Sequence, residues 1–331
     1  MLKYVLKRLA MMIPVLIAVS FLIFTLLYIT PGNPVDYILG NDANAETIAQ
    51  LEEQLGLNDP FLVRYFNYIK GIVTELDFGI SYVTRESVSR ELLTRLPNTA
   101  LLAALGVLVS ALIGITSGII AATKQYTIFD NLATIVALTG VSLPTFWSGL
   151  MLLILFSLKL GWFPPSGFST PSEWFLPVLT IGFSSSATLM RQTRSAMLEV
   201  IRQDYITTAR AKGQREFNII VKHALKNAMI PVLTVMGLSF GGLLGGAVVV
   251  ESVFSIPGIG KLMLDGVSAK NFPVVQSGVL MIAFLFAIVN LLVDLLYGFI
   301  DPRIRSQYAN NRKKHTRHTI EKEAADDITQ Q

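Results

Sequence analysis

Long runs without a charged residue constrain this chain more than any other feature. Six such runs occur, and a helix needs about 20 apolar residues to cross about 30 Å of hydrocarbon. Backbone groups in lipid must be satisfied within the segment, and the runs are much longer than barrel strands, so each predicts a helix. The first run covers residues 9–29, and the others lie between the charged residues 95 and 124, 130 and 159, 173 and 191, 226 and 251, and 270 and 294. The sequence therefore predicts an all-α integral membrane protein with six transmembrane helices, of which the fourth is the shortest.

Composition agrees with this fold class. Only 15% of the residues are charged and 52% are hydrophobic, whereas soluble domains carry about 25% charged residues. This excludes a soluble enzyme of ordinary composition. The chain has no cysteine, so disulfides and thiolate metal sites are absent.

The distribution of lysine and arginine predicts the orientation. With six spans, one side receives 19 basic residues from the two ends and from the loops around residues 124 and 191–226. The short loops on the other side hold only Lys159, Lys261 and Lys270. The positive-inside rule then places both termini in the cytoplasm. The basic loops suit anionic lipid headgroups, so the net charge of +4 does not indicate nucleic-acid binding.

Four regions follow from this topology. Residues 1–30 hold the cytoplasmic N-terminal end and first span, which reads as an uncleaved anchor because it is longer than a typical signal-peptide core and lacks a small-x-small cleavage pattern. Residues 31–95 are predicted to form an extracytoplasmic cap with helices at 46–55 and 60–72. Residues 96–300 form the transmembrane core, and the polar tail 301–331 is predicted to be disordered and to touch lipid headgroups.

The most informative segment is the cytoplasmic stretch 191–229. A helix is predicted from Asp204, as its capping residue, to Lys212, with Gly213 at its end. A second helix is predicted over 214–228, with an apolar stripe of Phe217, Ile220, Val221, Leu225 and Met229. Two helices around a glycine turn indicate a docking element; the alternative is a solvated basic loop with incidental helicity.

The residues here resemble a known family. The stretch 204–231, DYITTARAKGQREFNIIVKHALKNAMIP, is similar to the cytoplasmic loop of permease subunits of binding-protein-dependent ABC importers, in the peptide and nickel branch. Further matches are PGNP at 31–34, LGLNDPFLVRYFNYI at 55–69, LPNTALLA at 96–103, SLPTFW at 142–147, FPPSG at 163–167, FSIPGIGKLM at 254–263 and DPRIR at 301–305. The general loop motif, Glu-Ala-Ala before the glycine and Ile-x-Leu-Pro after it, is only partly kept, because Thr207-Thr208-Ala209 and His223-Ala224-Leu225-Lys226 stand there.

The resemblance implies a type I ABC importer transmembrane fold in the cytoplasmic membrane of a prokaryote. The implied partners are a second homologous permease, two cytoplasmic ATPase subunits and an extracytoplasmic solute-binding protein. This chain lacks the Gly-x4-Gly-Lys-Ser/Thr phosphate loop, so no cofactor is expected in it, and ATP and Mg²⁺ belong to the ATPases. The ATPase-coupling residues implied are Asp204, Tyr205, Ala209, Ala211, Gly213, His223, Leu225 and Asn227, with Ala209 and Gly213 expected to share one face.

Other residues are candidates for packing or for the solute pathway. Gly237, Gly241 and Gly245 repeat every four residues, which predicts close helix approach, with a flexible gating point as the alternative. Polar groups inside spans are costly, so Ser184, Ser185, Ser186, Asn290 and Asp294 are pathway candidates, although Asp294 also suits a structural ion pair. No catalytic or metal-ligating set is predicted, because a lone His223 offers no coordination set.

The predicted function is import of di- or oligopeptides. Nickel chelates, glutathione or other peptide-like solutes are the alternative within this class. An ion-coupled secondary transporter is the alternative of another class, but it predicts two similar halves and buried midplane charges, and no repeat is visible. An intramembrane protease is disfavoured, because neither His-Glu-x-x-His nor Gly-x-Ser-x-Gly occurs.

Overall fold

The protein is described from a computed structural model covering residues 2–31, 33–39 and 44–300. Helices dominate this part of the chain. An isolated antiparallel bridge pairs Ile80 with Ser87. The helices are α1 (Leu2–Ile29), α2 (Pro34–Leu39), α3 (Ala45–Gln54), α4 (Phe61–Glu75), α5 (Val88–Thr123), α6 (Ile128–Ser142), α7 (Thr145–Leu152), α8 (Pro171–Ile201), α9 (Asp204–Ala211), α10 (Glu216–Asn218), α11 (Lys226–Val253), α12 (Ile259–Ser268) and α13 (Phe272–Ile300), with π-helical turns at Leu153–Lys159 and Ile219–Leu225.

Four helical stretches are long and apolar enough to cross a membrane. They are Val5–Ile29, Val88–Thr123, Glu216–Gly245 and Phe272–Val293. A fifth candidate span arises if α6 and the stretch Thr145–Lys159, which contains α7, cross the membrane together. The helix axis bends by 104° between these two stretches. The third span predicted between residues 130 and 159 therefore corresponds to two helices joined by a sharp bend. Pro144 follows the break and supplies no backbone N–H to continue the helix.

The predicted fourth span falls in α8, which is not among the four helical stretches that are long and apolar enough to cross a membrane. α8 has 31 residues, about 46 Å at 1.5 Å per residue, and is long enough to cross. Its inner residues are buried by protein, among them Leu176, Ile181 and Met190. A helix surrounded by protein needs less apolar composition than one surrounded by lipid. The count of six spans and the cytoplasmic termini stay predictions.

Helices α3 and α4 lie where the two cap helices were predicted. α3 begins after Asn44, whose side-chain oxygen accepts from the Thr47 N–H at 2.7 Å, and it is followed by Gly56 at φ +62°. α4 begins after Pro60 as expected. We call the end of the bundle with residues 33–95 the cap side, and the end with residues 202–225 the coupling side. The tail 301–331 lies outside the described residues.

Two buried clusters hold the long helices together. One lies toward the cap side and includes Leu176, Ile181, Leu243 and Phe254. The other, which we call the coupling core, joins α5, α8, α9, the second π turn and α11; its members are Ala122, Leu189, Ala196, Met197, Ile206, Ala209, Ile219, Ala224, Ala228 and Val232.

Glycines let α5 and α8 approach closely. A Cβ on Gly114 would come within 2.6 Å of the Ser186 carbonyl oxygen, and one on Gly118 within 2.8 Å of the Met190 carbonyl oxygen. Contacts this short leave room only for hydrogen, so Gly114 and Gly118 serve close packing between the two helices. This helix pair forms a rigid frame beside the coupling core.

Candidate coupling site

α9 and the turn after it form the centre of the coupling side. The predicted cap at Asp204 is wrong, because the capping position is Gln203, which has extended backbone and makes no side-chain capping bond. Asp204 lies in the first turn, where its negative charge still favours the helix N-terminus. Gly213 ends the helix at φ +75°, with its N–H donating to the Arg210 carbonyl at 2.9 Å. This is the left-handed position that glycine fills at helix ends.

The inner face of α9 is buried within this chain. Ile206 is fully buried and Ala209 is 9% exposed, both in the coupling core. The prediction that Ala209 and Gly213 share one helix face is wrong, because the helix ends at Ala211 and Gly213 belongs to the following turn. Space around Gly213 is open, with no atom within 4 Å of a Cβ placed there. Ala209 thus anchors α9 to its own subunit, while Gly213 remains on the outside.

The second predicted helix is continuous with the following span. α10, the π turn and α11 run without a break from Glu216 to Val253. The residues of the predicted apolar stripe differ in burial: Phe217 is 73% exposed and Val221 40% exposed, whereas the neighbouring Ile219 and Ala224 are buried. Ile220, Leu225 and Met229 are half-buried against the coupling core. The π turn, with its i→i+5 bonding, changes the helical phase and moves the buried positions.

Side-chain hydrogen bonds tie the Gly213 turn to the helices on either side. Asn227 donates to the Tyr205 hydroxyl at 2.9 Å, and His223 lies 2.9 Å from the Gln214 amide oxygen. Arg210 and Glu216 form a two-point ion pair at 2.7 and 3.2 Å. Hydrogen bonding to Glu216 raises the pKa of Arg210 above its ordinary value. His223 and Asn227 thus hold the turn in place.

The outer surface of this element carries exposed apolar groups. Tyr205 is 44% exposed, Phe217 73% and Val221 40%. Asp204 and Ala211 are also exposed. Large apolar side chains held outward on a rigid, hydrogen-bonded turn are typical of a protein-docking surface. The arrangement offers a contact surface joined directly to two long helices.

The glycine repeat of α11 divides into two parts. A Cβ on Gly237 would overlap Val293 and one on Gly241 would overlap Phe286, both on α13, whereas Gly245 has no atom within 4 Å. Close packing within this subunit is therefore confirmed for Gly237 and Gly241. Gly245 lies outside that packed contact.

Among the side chains that the structure describes, the polar pathway candidates do not gather into one site. Ser186 is buried and donates to the Phe183 carbonyl at 2.7 Å, and Ser184 lies 3.5 Å from the Thr145 hydroxyl. Ser185 is half-buried. Asn290 donates to the Phe286 carbonyl of its own helix at 3.0 Å. The side chain of Asp294 lies outside the described residues. A pathway role for these residues stays a prediction.

The structure shows a buried carboxylate that the sequence analysis missed. Glu251 is fully buried near the cap-side end of α11. It accepts from the Thr99 hydroxyl at 2.7 Å and from the Lys261 N–H at 2.9 Å. A Cβ on Gly258 or Gly260 would overlap the Glu251 carboxylate. The signal was present, since an acidic residue ends an apolar run just before a glycine-rich turn, but Glu251 served only to mark the end of a span.

A second missed feature lies at the coupling-side end of α6. Arg194 of α8 donates two hydrogen bonds to Asp130, at 2.7 and 2.8 Å. The Tyr126 N–H also donates to Asp130, at 3.0 Å. Asp130 is 3% exposed. This ion pair attaches the loop before α6 to the frame of α5 and α8; its partners are 64 residues apart, so sequence spacing gave no sign of it.

The helical membrane domain and its projecting turn define a class, the multi-pass transport permease. The chain belongs to the binding-protein-dependent transport system inner membrane component family, whose model matches residues 114–306. The family's N-terminal membrane component model matches residues 1–103. The predicted family and multi-pass inner-membrane location are confirmed.

Close relatives carry peptide-type names. The chain is 42% identical to the dipeptide transport system permease protein DppB of Alkalihalophilus pseudofirmus, covering 92% of this chain and 100% of that protein. It is 43% identical to the glutathione transport system permease protein GsiC of Salmonella typhimurium, covering 92% and 99%. These relatives are transport subunits, so the prediction that the chain is not an enzyme is confirmed.

Solved structures support the fold. The chain resembles the MetNI methionine ABC transporter in inward-facing crystal forms, with TM-scores of 0.56 and 0.53 at 15% and 17% identity. The first match covers 64% of this chain and 97% of the other, and the second covers 63% and 96%. The predicted type I ABC importer transmembrane fold is thereby confirmed.

Proposed function

We propose that this chain is a permease subunit of an ABC importer that moves di- or oligopeptides inward across the cytoplasmic membrane. A solute-binding protein delivers the peptide from outside, and ATP with Mg²⁺ is bound and hydrolysed in separate subunits. The observation that carries this proposal is the coupling turn: α9, with the exposed aromatics Tyr205 and Phe217 on and beside it, is joined through the coupling core to the long helices α8 and α11. The names of the relatives support the peptide substrate.

The proposed complex holds this chain, a second homologous permease and two ATPase subunits. Each ATPase receives one coupling turn in a surface groove. The exposed side chains Tyr205, Phe217 and Val221 enter that groove, whereas Ala209 fixes α9 to its own subunit. The residues Asp204, Ala211, Gly213, His223, Leu225 and Asn227 shape or support the docked turn.

The proposed motion follows from the connections of α9. When ATP binding draws the two ATPases together, the docked turn moves with them. Two residues, 202 and 203, separate α8 from α9, and α10 is continuous with α11. Displacement of the turn therefore moves α8 and α11 as a unit and turns an inward-open pathway outward.

Glutathione is the second candidate solute. The relative GsiC is as similar to this chain as DppB and carries a glutathione transport name. Glutathione is itself a short peptide, so one pathway chemistry suits both solutes.

A copurification and uptake experiment tests the proposal. A tagged chain, expressed with its transport partners, should retain the ATPases and second permease and should take up dipeptide, longer peptide or glutathione in an ATP-dependent manner. Phe217→Ser should weaken ATPase retention, whereas Val83→Ser should not, because Val83 is 61% exposed on the cap side. Uptake by the purified chain alone, without ATPases, would overturn the proposal.

A further inference from the structure

α4 lies beside α1 rather than above it. Phe61, Tyr65 and Tyr68 contact aromatic rings of α1 with ring centroids 4.9 to 6.0 Å apart. The Tyr65 hydroxyl is 2.9 Å from the Ser20 hydroxyl and 3.3 Å from the Ile17 carbonyl oxygen. These contacts extend α4 well down the side of α1.

The length of α1 sets the depth of these contacts. Its uncharged segment, residues 9–29, has 21 residues. This corresponds to about 31 Å of helix, which matches the thickness of the hydrocarbon layer. Ser20 precedes Ile29 by nine residues, which places it about 13 Å below the outer end of this segment. With the predicted cytoplasmic N-terminus, Tyr65 therefore reaches into the outer leaflet.

The side of α4 that turns away from α1 is also apolar. Leu62 and Phe66 are each 66% exposed, and Val73 is 75% exposed. Residues 62, 66 and 73 fall on one line of a helix, and we call this line the outer stripe. The neighbouring line of α4 carries Asn67 and Lys70, which are exposed and polar. An apolar stripe beside a polar one is the pattern of a helix lying in a membrane interface.

We propose that α4 is an interfacial helix whose outer stripe lies against lipid acyl chains of the outer leaflet. The depth of Tyr65 places the stripe among acyl chains, and α1 beside it exposes Leu22, at 60%, to the same surroundings. Arg64 fits this position, because its guanidinium lies 5.4 Å from the ring centre of Tyr28, next to the outer end of α1, where a long cationic side chain reaches the headgroups. The cap is thus anchored in the membrane by α4 and stands at a fixed height above it.

Spin labels on single cysteines test this proposal directly, because the chain has no native cysteine. Phe66→Cys and Val73→Cys report on the outer stripe. Leu22→Cys is the lipid-facing reference, and Gln54→Cys, exposed on α3, is the water-facing reference. The complete transporter complex in lipid nanodiscs is examined by power-saturation EPR with molecular oxygen and with a water-soluble nickel chelate. Each variant is used after it is shown to retain its partners.

The expected result is an oxygen-to-chelate collision ratio at residues 66 and 73 that matches Leu22→Cys and exceeds Gln54→Cys severalfold. A ratio equal to that of Gln54→Cys would place the stripe in water and overturn the proposal. An immobile label with low collision rates for both reagents would indicate a protein partner, such as a helix of the second permease, and would overturn the lipid assignment equally.

Discussion

Gly213 is the residue at which backbone geometry bears most directly on the proposed coupling. Its φ of +75° is strained for any residue with a Cβ, although the space around it is open. We expect Gly213→Val to insert and fold but to lose transport, and Gly213→Asn to retain much more, since asparagine tolerates this region. Uptake by membranes with matched amounts of each variant measures the effect.

Gly161 provides the control for this substitution. It has φ +64° and no atom within 4 Å, but it lies on the cap side. Gly161→Val should carry the same backbone strain, roughly 1–3 kcal/mol, without affecting the coupling turn. Normal uptake by Gly213→Val, or an equal loss in both variants, would contradict a docking role for Gly213.

Glu251 yields a residue-scale prediction about stability. Both carboxylate oxygens of Glu251 accept hydrogen bonds in a fully buried site. Replacing one oxygen by an NH₂ group places a new hydrogen-bond donor opposite an existing donor, so one of these hydrogen bonds is lost. Glu251→Gln should lower the free energy of unfolding by about 1–3 kcal/mol. Thermal or detergent unfolding of the purified protein measures this change. Glu53→Gln, an exposed carboxylate of α3, should leave stability unaltered, and equal stability of both variants would show that the Glu251 contacts contribute nothing.

Among the elements, the pairing of α11 with α13 can be tested by two glycines on the same helix. Gly241→Ala adds a methyl group that overlaps Phe286 and should cost about 1–3 kcal/mol of stability. Gly245→Ala meets no atom within 4 Å, so it should be neutral or stabilising through its better helix propensity. Unfolding of the isolated subunit separates the two. A stability loss in Gly245→Ala matching that of Gly241→Ala would contradict the division of the glycine repeat.

The elements also show how far sequence reasoning reached. Uncharged runs, together with proline and glycine residues near helix ends, predicted the long helices and the cap helices α3 and α4, because these signals are local; the short α2 was not predicted. The bend of 104° between α6 and α7 and the π turn at Ile219–Leu225 were not predicted. Proline indicates a break but not its angle, and a π turn has no distinctive composition. Its phase change is the reason that the predicted apolar stripe does not form one face, since Phe217 is exposed whereas Ile219 and Ala224 are buried.

The candidate site was predicted in its location but not in its orientation. The family-like segment marked the coupling turn, yet Ala209 faces inward, because tertiary packing decides which side of a short helix is buried. Charged residues were used as span boundaries, and two of them proved to be structural. Asp130 binds Arg194, and Glu251 binds Thr99, pairings between residues too distant in the chain for periodicity to detect.

At the scale of the whole molecule, the coupling core connects the proposed docking surface, which carries Tyr205, Phe217 and Val221, to the long helices α8 and α11. Ile206 is fully buried there, among Met197, Ile219 and Ala224. Phe217, by contrast, is exposed on the docking surface. The proposed function therefore assigns docking and transmission to different side chains of one element, and variants can separate them.

Graded truncation of Ile206 should uncouple ATP hydrolysis from transport while leaving the complex assembled. Ile206→Val removes one methylene, at a cost of about 0.5–1.5 kcal/mol, and Ile206→Ala leaves a larger cavity, at about 2–5 kcal/mol. A looser core transmits less of the ATPase motion to α8 and α11, so solute moved per ATP hydrolysed should fall in the order Ile, Val, Ala. Proteoliposome uptake and ATPase rates, measured on the same preparations, give this ratio. Phe217→Ser should instead reduce the amount of ATPase bound, and the complex that remains should move as much solute per ATP hydrolysed as the unaltered protein. If the Ile206 variants also reduced ATPase binding and left the amount of solute moved per ATP unchanged, the coupling core would have no part in transmission.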